Sequence, residues 1–151
     1  MLKVSAVPSQ HIESIRHELA PWLKDAESWT RGRYTASDLL DLAEENRISL
    51  FIAFSPDGED DIDIRGVALC FIQHYPRSKW LFIQYVGGDR SHLWRQNMHD
   101  LLKKYAQANG CVGFEWIGRL GLMRVMGASG AKPVGFMGEI RFDVDGRGPT
   151  K

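Results

Sequence analysis

Two stretches of this chain hold residues whose types and spacing could do chemistry. In Val112-Gly113-Phe114-Glu115-Trp116 a single carboxylate stands among apolar residues. Such isolation raises a carboxyl pKa by desolvation, toward the range in which the group takes and returns a proton near neutral pH. The structural alternative for Glu115 is a pair with Arg119, or an outward orientation set by strand alternation. In Gly87-Gly88-Asp89-Arg90-Ser91 two glycines separate an apolar strand pattern from an amphipathic helix pattern. A strand-to-helix turn needing positive φ accounts for both.

Other chemistries find no support. His74, His92 and His99 lie in three separate contexts without metal-ligand spacing, so no metal is expected. Cys70 and Cys111 each sit in an apolar run and read as buried, reduced thiols. There is no Gly-x-Ser-x-Gly elbow, Walker loop or paired-cysteine zinc motif. Glu59-Asp60-Asp61 reads as a solvated loop tip. Arg119 and Arg124 could meet phosphate or a partner, or simply face solvent. The 19 basic and 19 acidic residues cancel, so nucleic acid and anionic membranes are not expected partners.

The elements that must position these residues follow from the apolar periodicity. Ile12, Ile15, Leu19, Trp22 and Leu23 recur at helical spacing after Pro8-Ser9 and predict one amphipathic helix. Thr35 caps a second, with Asp38 in its first turn and an end near Asn46. Ser49 to Phe54, Gly66 to Tyr75 and Trp80 to Val86 read as three strands in an antiparallel meander, the last two joined by Pro76-Arg77-Ser78-Lys79. Trp94, Met98, Leu101, Leu102 and Tyr105 mark a long helix ending at Asn109-Gly110. Val112 to Trp116 is a further strand, Leu120 to Met126 a short helix, and Val134 to Val144 a final extended region. The 151 residues and 44% hydrophobic content suit one domain over residues 1–144, with a flexible tail over 145–151. The fold class is α/β (α+β): a mixed, mostly antiparallel central sheet with helices on both faces. No signal peptide or membrane span is evident, which points to a cytoplasmic setting in a bacterial host cell.

This order, and above all Trp80-Leu81-Phe82-Ile83-Gln84-Tyr85-Val86-Gly87-Gly88-Asp89-Arg90-Ser91-His92-Leu93-Trp94, resembles the GNAT (Gcn5-related N-acetyltransferase) superfamily over roughly Leu2 to Val144. The resemblance implies acetyl-CoA as cofactor, held by a strand, a pyrophosphate loop and a helix N-terminus. The matching positions are Tyr85, Val86, Gly87, Gly88, Asp89, Arg90, Ser91 and His92. It also implies Glu115 as the general base toward an amine acceptor, because its strand borders the cofactor cleft in such enzymes. Two departures stand out. Ser91 to Leu93 occupy positions where later loop glycines would sit, and Asp89 brings a negative charge that Arg90 partly offsets. No tyrosine lies between Leu120 and Gly130 to serve as the family's thiolate acid.

A narrower resemblance, carried by His92-Leu93-Trp94, Tyr105-Ala106, Gly110-Cys111 and Gly118-Arg119-Leu120-Gly121-Leu122-Met123-Arg124-Val125-Met126, is to small GNAT-like proteins of tailed bacteriophages and prophages. It implies an alternative role, a non-catalytic virion-associated or accessory protein acting through protein contacts. In the wider family late strands often pair, and Val134 to Val144 could form a homodimer edge.

Overall fold

The computed structural model describes residues 2–57, 62–117, 130–135 and 137–142. The chain divides into two compact units, Met1–Trp116 and Ile117–Lys151. The first carries all the assigned elements. Strand β1 (Lys3–Val7) is followed by helices α1 (Ile12–Leu19), α2 (Ala26–Trp29) and α3 (Ala36–Glu44). Strands β2 (Ser49–Ser55), β3 (Asp63–His74) and β4 (Lys79–Gly88), helix α4 (Arg95–Ala108) and strand β5 (Cys111–Trp116) complete it.

The five strands lie in the order β1-β2-β3-β4-β5, antiparallel except for the parallel β4–β5 pair. That parallel pair needs a crossover, and α4 supplies it. Each face of the sheet has its own core. Leu50, Ile52, Val67, Leu69 and Tyr85 pack with Ile12, Leu19, Leu39 and Leu40 of the early helices. Phe51, Ala53, Ala68, Cys70, Leu81 and Ile83 pack with Trp94, Met98, Leu102 and Ala106 on the α4 side. The mixed sheet with helices on both faces is thus the architecture that the periodicity predicts.

Local chemistry sets the helix ends. Thr35 Oγ1 accepts from the Asp38 N–H at 3.1 Å while Asp38 accepts from the Thr35 N–H at 2.9 Å, a complete capping box. Arg16 pins α1 to α3 through Asp41 at 2.7 Å and Glu44 at 2.8 Å. Helix α4 ends with Gly110 at φ +77°, the left-handed residue that a helix stop favours.

The first helix is shorter than its periodicity suggests. Its apolar stripe continues to Leu23, but Pro21 supplies no N–H, and the chain tightens into a 3-10 turn over Ala20–Leu23. Strand β4 also differs. It runs on through Gly87 and Gly88, which pair with Val67 and Gly66 of β3. The two glycines are therefore not the strand-to-helix turn.

In the second unit, the described residues 130–135 and 137–142 form no helix or strand. The expected short helix over Leu120 to Met126, the acidic tip Glu59-Asp60-Asp61, Arg119, Arg124 and the tail over 145–151 lie outside the described residues.

Candidate active site

A single extra residue in β4 organises the site. The β3–β4 register steps from Cys70↔Ile83 to Leu69↔Tyr85, so Gln84 has no partner in β3 and forms a bulge. The bulge reverses which face the next side chains take: Leu81 and Ile83 belong to the α4-side core, whereas Tyr85 belongs to the α1–α3 side. At the same point β5 stops pairing. The last β4–β5 partners are Ile83↔Trp116, after which β4 continues to Gly88 with no neighbour on that edge among the described residues. Among the described residues, the backbone N–H and C=O groups of β4 beyond Ile83 therefore have no strand partner on that edge, which makes them candidates for a ligand.

Glu115 stands one residue before the parting, directly opposite Phe82. Its Oε1 accepts a 2.7 Å hydrogen bond from the hydroxyl of Tyr75, which is at the end of β3. No cation pairs with Glu115 among the described residues. The bond acts on the phenol: donating to Glu115 pushes the Tyr75 pKa up, with smaller contributions from desolvation and from the carboxylate's charge. Tyr75 is not among the sequence candidates, because it reads only as the last residue of a strand before Pro76-Arg77-Ser78-Lys79. Only the hairpin geometry brings it to Glu115.

Around this pair lies an aromatic surface on the α1–α3 side of the sheet. Phe71 and Phe82 stack with centroids 5.0 Å apart. Trp80 lies over Gly113, where a Cβ would come within 2.8 Å of its ring, and its Nε1 donates to Ser78 Oγ at 2.9 Å. Phe71 also lines an open cavity of about 190 Å³ together with Tyr34, Leu39, Leu42, Arg47, Ile48 and Gln84.

The loop between β4 and α4 is tied down by its own chain. Arg65 is itself a bulge residue in β3, unpaired between Gly66 and Ile64. Its carbonyl accepts from the Asp89 N–H at 3.0 Å, and its guanidinium reaches the Asp89 carboxylate at 3.6 Å. Arg65, rather than the expected Arg90, therefore offsets the Asp89 charge. Arg90 takes a left-handed φ of +46°, and Ser91–Leu93 form a 3-10 turn with Ser91 and His92 exposed. The Leu93 and Trp94 N–H groups bond back to Arg90 and Ser91. Trp94 is buried against Gly66 and Gly88, where an added Cβ would strike its ring, and its Nε1 donates to the Asp89 carbonyl at 2.9 Å.

Of the eight loop candidates, Tyr85 is a core side chain whose hydroxyl donates to the Trp22 carbonyl at 3.3 Å. Val86 and Gly88 are exposed on the part of β4 that pairs with β3 alone, and Gly87 packs against Tyr85. Asp89, Arg90, Ser91 and His92 lead into α4, whose N-terminus has no side-chain cap and no acidic residue in its first turn. Such an end leaves N–H groups for an anion. The histidines are not gathered, and no metal-binding group of side chains occurs among the described residues. Cys70 and Cys111 are both buried and unbridged. No helix among the described residues is long and apolar enough to cross a membrane.

No protein-family sequence model matches the chain, and no curated protein matches it by sequence. Solved structures do match in shape. Ribosomal-protein-alanine N-acetyltransferase from Brucella melitensis biovar Abortus 2308 aligns with a TM-score of 0.67 at 13% identity, over 95% of this chain and 100% of that one. Glucosamine-6-phosphate N-acetyltransferase from Arabidopsis thaliana gives 0.65 at 14%, over 95% and 99%. AAC(6')-Iy in complex with the bisubstrate analog CoA-S-monomethyl-acetylneamine gives 0.64 at 17%, again over 95% and 99%. The chain has the fold of these GNAT acetyltransferases.

Proposed function

We propose that this protein transfers an acetyl group from acetyl-CoA to an amine, working at the parting of β4 and β5. The observation that carries the reading is the coincidence of three features at one place: the Gln84 bulge, the end of β4–β5 pairing at Ile83↔Trp116, and Glu115 one residue before it.

The residues present fit acetyl-CoA. The unpaired edge of β4 offers donors and acceptors to the pantetheine amides, and the uncapped N-terminus of α4, with Arg90 and Arg95 beside it, suits a pyrophosphate. Acetyl-CoA supplies an activated thioester carbonyl. Glu115 takes a proton from the acceptor ammonium, which frees the nitrogen lone pair to form the new C–N bond. As the C–S bond breaks, the second nitrogen proton passes to the leaving sulfur, through water, and the products are the acetamide and free CoA thiol. Tyr75 holds the Glu115 carboxylate in place by its hydrogen bond.

Thiol release from acetyl-CoA in the presence of an amine panel tests the reading. With Glu115→Gln, kcat should fall by about 10²- to 10⁴-fold, the range of general-base contributions, while acetyl-CoA binding is unchanged. Equal turnover by the variant would remove Glu115 from this role.

A second reading is a non-catalytic accessory module acting by protein contacts. It is favoured by the loop's internal commitments: the N–H groups of Asp89, Leu93 and Trp94 already have acceptors within the chain. Such a degenerate loop would weaken the hold on pyrophosphate.

A further inference from the structure

The surface beside Glu115 has a chemistry that selects among amines. One end is the carboxylate, held by Tyr75 and with no cation paired to it among the described residues. The other end is an open cavity of about 190 Å³, where Leu39, Leu42, Ile48 and Phe71 supply apolar lining and Tyr34, Gln84 and Arg47 polar lining. A cavity of about 150 Å³ lined by apolar side chains accepts a benzene ring, so this one has room for a phenyl-sized group.

The two ends are joined by aromatic rings. Phe71 belongs to the cavity wall and stacks on Phe82, and Phe82 is the direct cross-strand neighbour of Glu115. Directly opposed residues share a face of the sheet, so Phe71, Phe82 and Glu115 form one row across β3, β4 and β5. Two strand spacings separate the ends of this row, about 9–10 Å. Trp80, beside the row over Gly113, adds a ring whose face attracts a cation. The two ends differ in charge: Arg47, which lines the cavity, pairs with Glu45 at 3.8 Å, whereas Glu115 has no cation paired to it among the described residues and attracts an ammonium. A molecule with an apolar end and a cationic end therefore has one favoured orientation.

We propose that the acceptor is a primary arylalkylamine, its ring in the cavity beside Phe71, its tether across Phe82 and its ammonium at Glu115. This rests on the transferase reading for its purpose but not for its test, since binding of the amine requires no acetyl-CoA.

The probe is 4-phenylbutylamine, whose ring and extended four-carbon tether together approach the length of the row. Its binding to the full chain is followed by nitrogen-15 NMR shifts of the tryptophan indoles, beside that of 4-phenylbutanol and benzylamine. The expected result is binding at least about tenfold tighter for 4-phenylbutylamine than for the alcohol, which lacks the charge. Benzylamine, too short to fill both ends, should bind at least about fivefold more weakly than the longer amine. Glu115→Gln should bring the amine down to the level of the alcohol. Leu42→Trp, which fills the cavity from a half-buried position, should weaken both long probes and leave their ratio unchanged. Should that variant not fold, the benzylamine comparison still tests the cavity end.

Equal affinity for amine and alcohol, an unchanged amine affinity in Glu115→Gln, or benzylamine binding as tightly as the longer amine would each overturn the proposal. Failure here is separable from failure of the transferase reading. Acetyl-CoA turnover with other amines but no binding of the probe defeats only this inference. The expected amine pattern without acetyl-CoA binding defeats only the transferase.

Discussion

Tyr75, just past the end of β3, and Glu115, in β5, meet in a 2.7 Å hydrogen bond from phenol to carboxylate. A proton shared in this way is harder to remove, so the Tyr75 pKa is raised above its ordinary value. Glu115→Gln should bring it back toward about 10, the ordinary phenol value. Tyrosinate absorbance, with Tyr75→Phe to identify the group, reads the change. The sign for stability follows: a raised folded pKa contributes stability below the unfolded pKa and loses it as pH rises through the folded one. An identical Tyr75 titration in wild type and Glu115→Gln would show that the bond does not persist in solution.

The thiol of Cys70 behaves in the same direction for a different reason. Burial, and then the neighbouring Cys111, push its pKa up from 9.0 to about 12. Three units cut the thiolate population at neutral pH by about a thousandfold, so iodoacetamide at pH 8 should alkylate Cys70 about a thousandfold more slowly in the folded protein than in urea. Stability from this group is complete below about pH 9 and declines as pH approaches about 12. Peptide mass spectrometry reads the labelling. Rapid modification of Cys70 in the native state would contradict its burial.

Trp94 anchors the loop that leads into α4. Its ring lies on Gly66 and Gly88, and its Nε1 holds the Asp89 carbonyl. Trp94→Ala should cost about 3–5 kcal/mol in urea unfolding, the range for emptying a large buried site. Gly66→Ala, which forces a methyl group into that ring, should cost about 1–3 kcal/mol. Changes within about 0.5 kcal/mol for both variants, the range of inert surface substitutions, would mean that this packing does not hold the loop.

The second unit presents Val134, Ile140 and Phe142 with more than four-fifths of each side exposed, at 90%, 86% and 85%. Apolar groups of this size favour burial against another surface, and the sequence places them in a segment suited to pairing with its copy. Sedimentation velocity at micromolar concentration should therefore give a homodimer, and Phe142→Asp should shift it toward monomer. A wild-type monomer under those conditions would contradict the assignment.

Helices α3 and α4, the start of α1, the Thr35 cap with Asp38 in the first turn, and the mixed sheet were legible because each rests on a local or periodic signal, whereas the short α2 has no such signal. Glu115 was legible as an isolated carboxylate in an apolar strand. The Gln84 bulge was not: Leu81, Ile83 and Tyr85 alternate without a break in the sequence, and only the register with β3 shows that Tyr85 changes face. For the same reason Gly87-Gly88 resembled a turn, although both residues are inside β4. Tyr75 and Arg65 were hidden because their partners, Glu115 and Asp89, are remote in sequence and near only after the sheet forms.

The most direct test of the central claim is a calorimetric titration of acetyl-CoA into the protein, beside the exposed loop variant Ser91→Glu. The account predicts submillimolar binding to the wild type, weakened at least about tenfold when a negative charge is set at the N-terminal approach to α4. No binding at millimolar acetyl-CoA, or equal binding by both proteins, would contradict a cofactor site at the parting of β4 and β5.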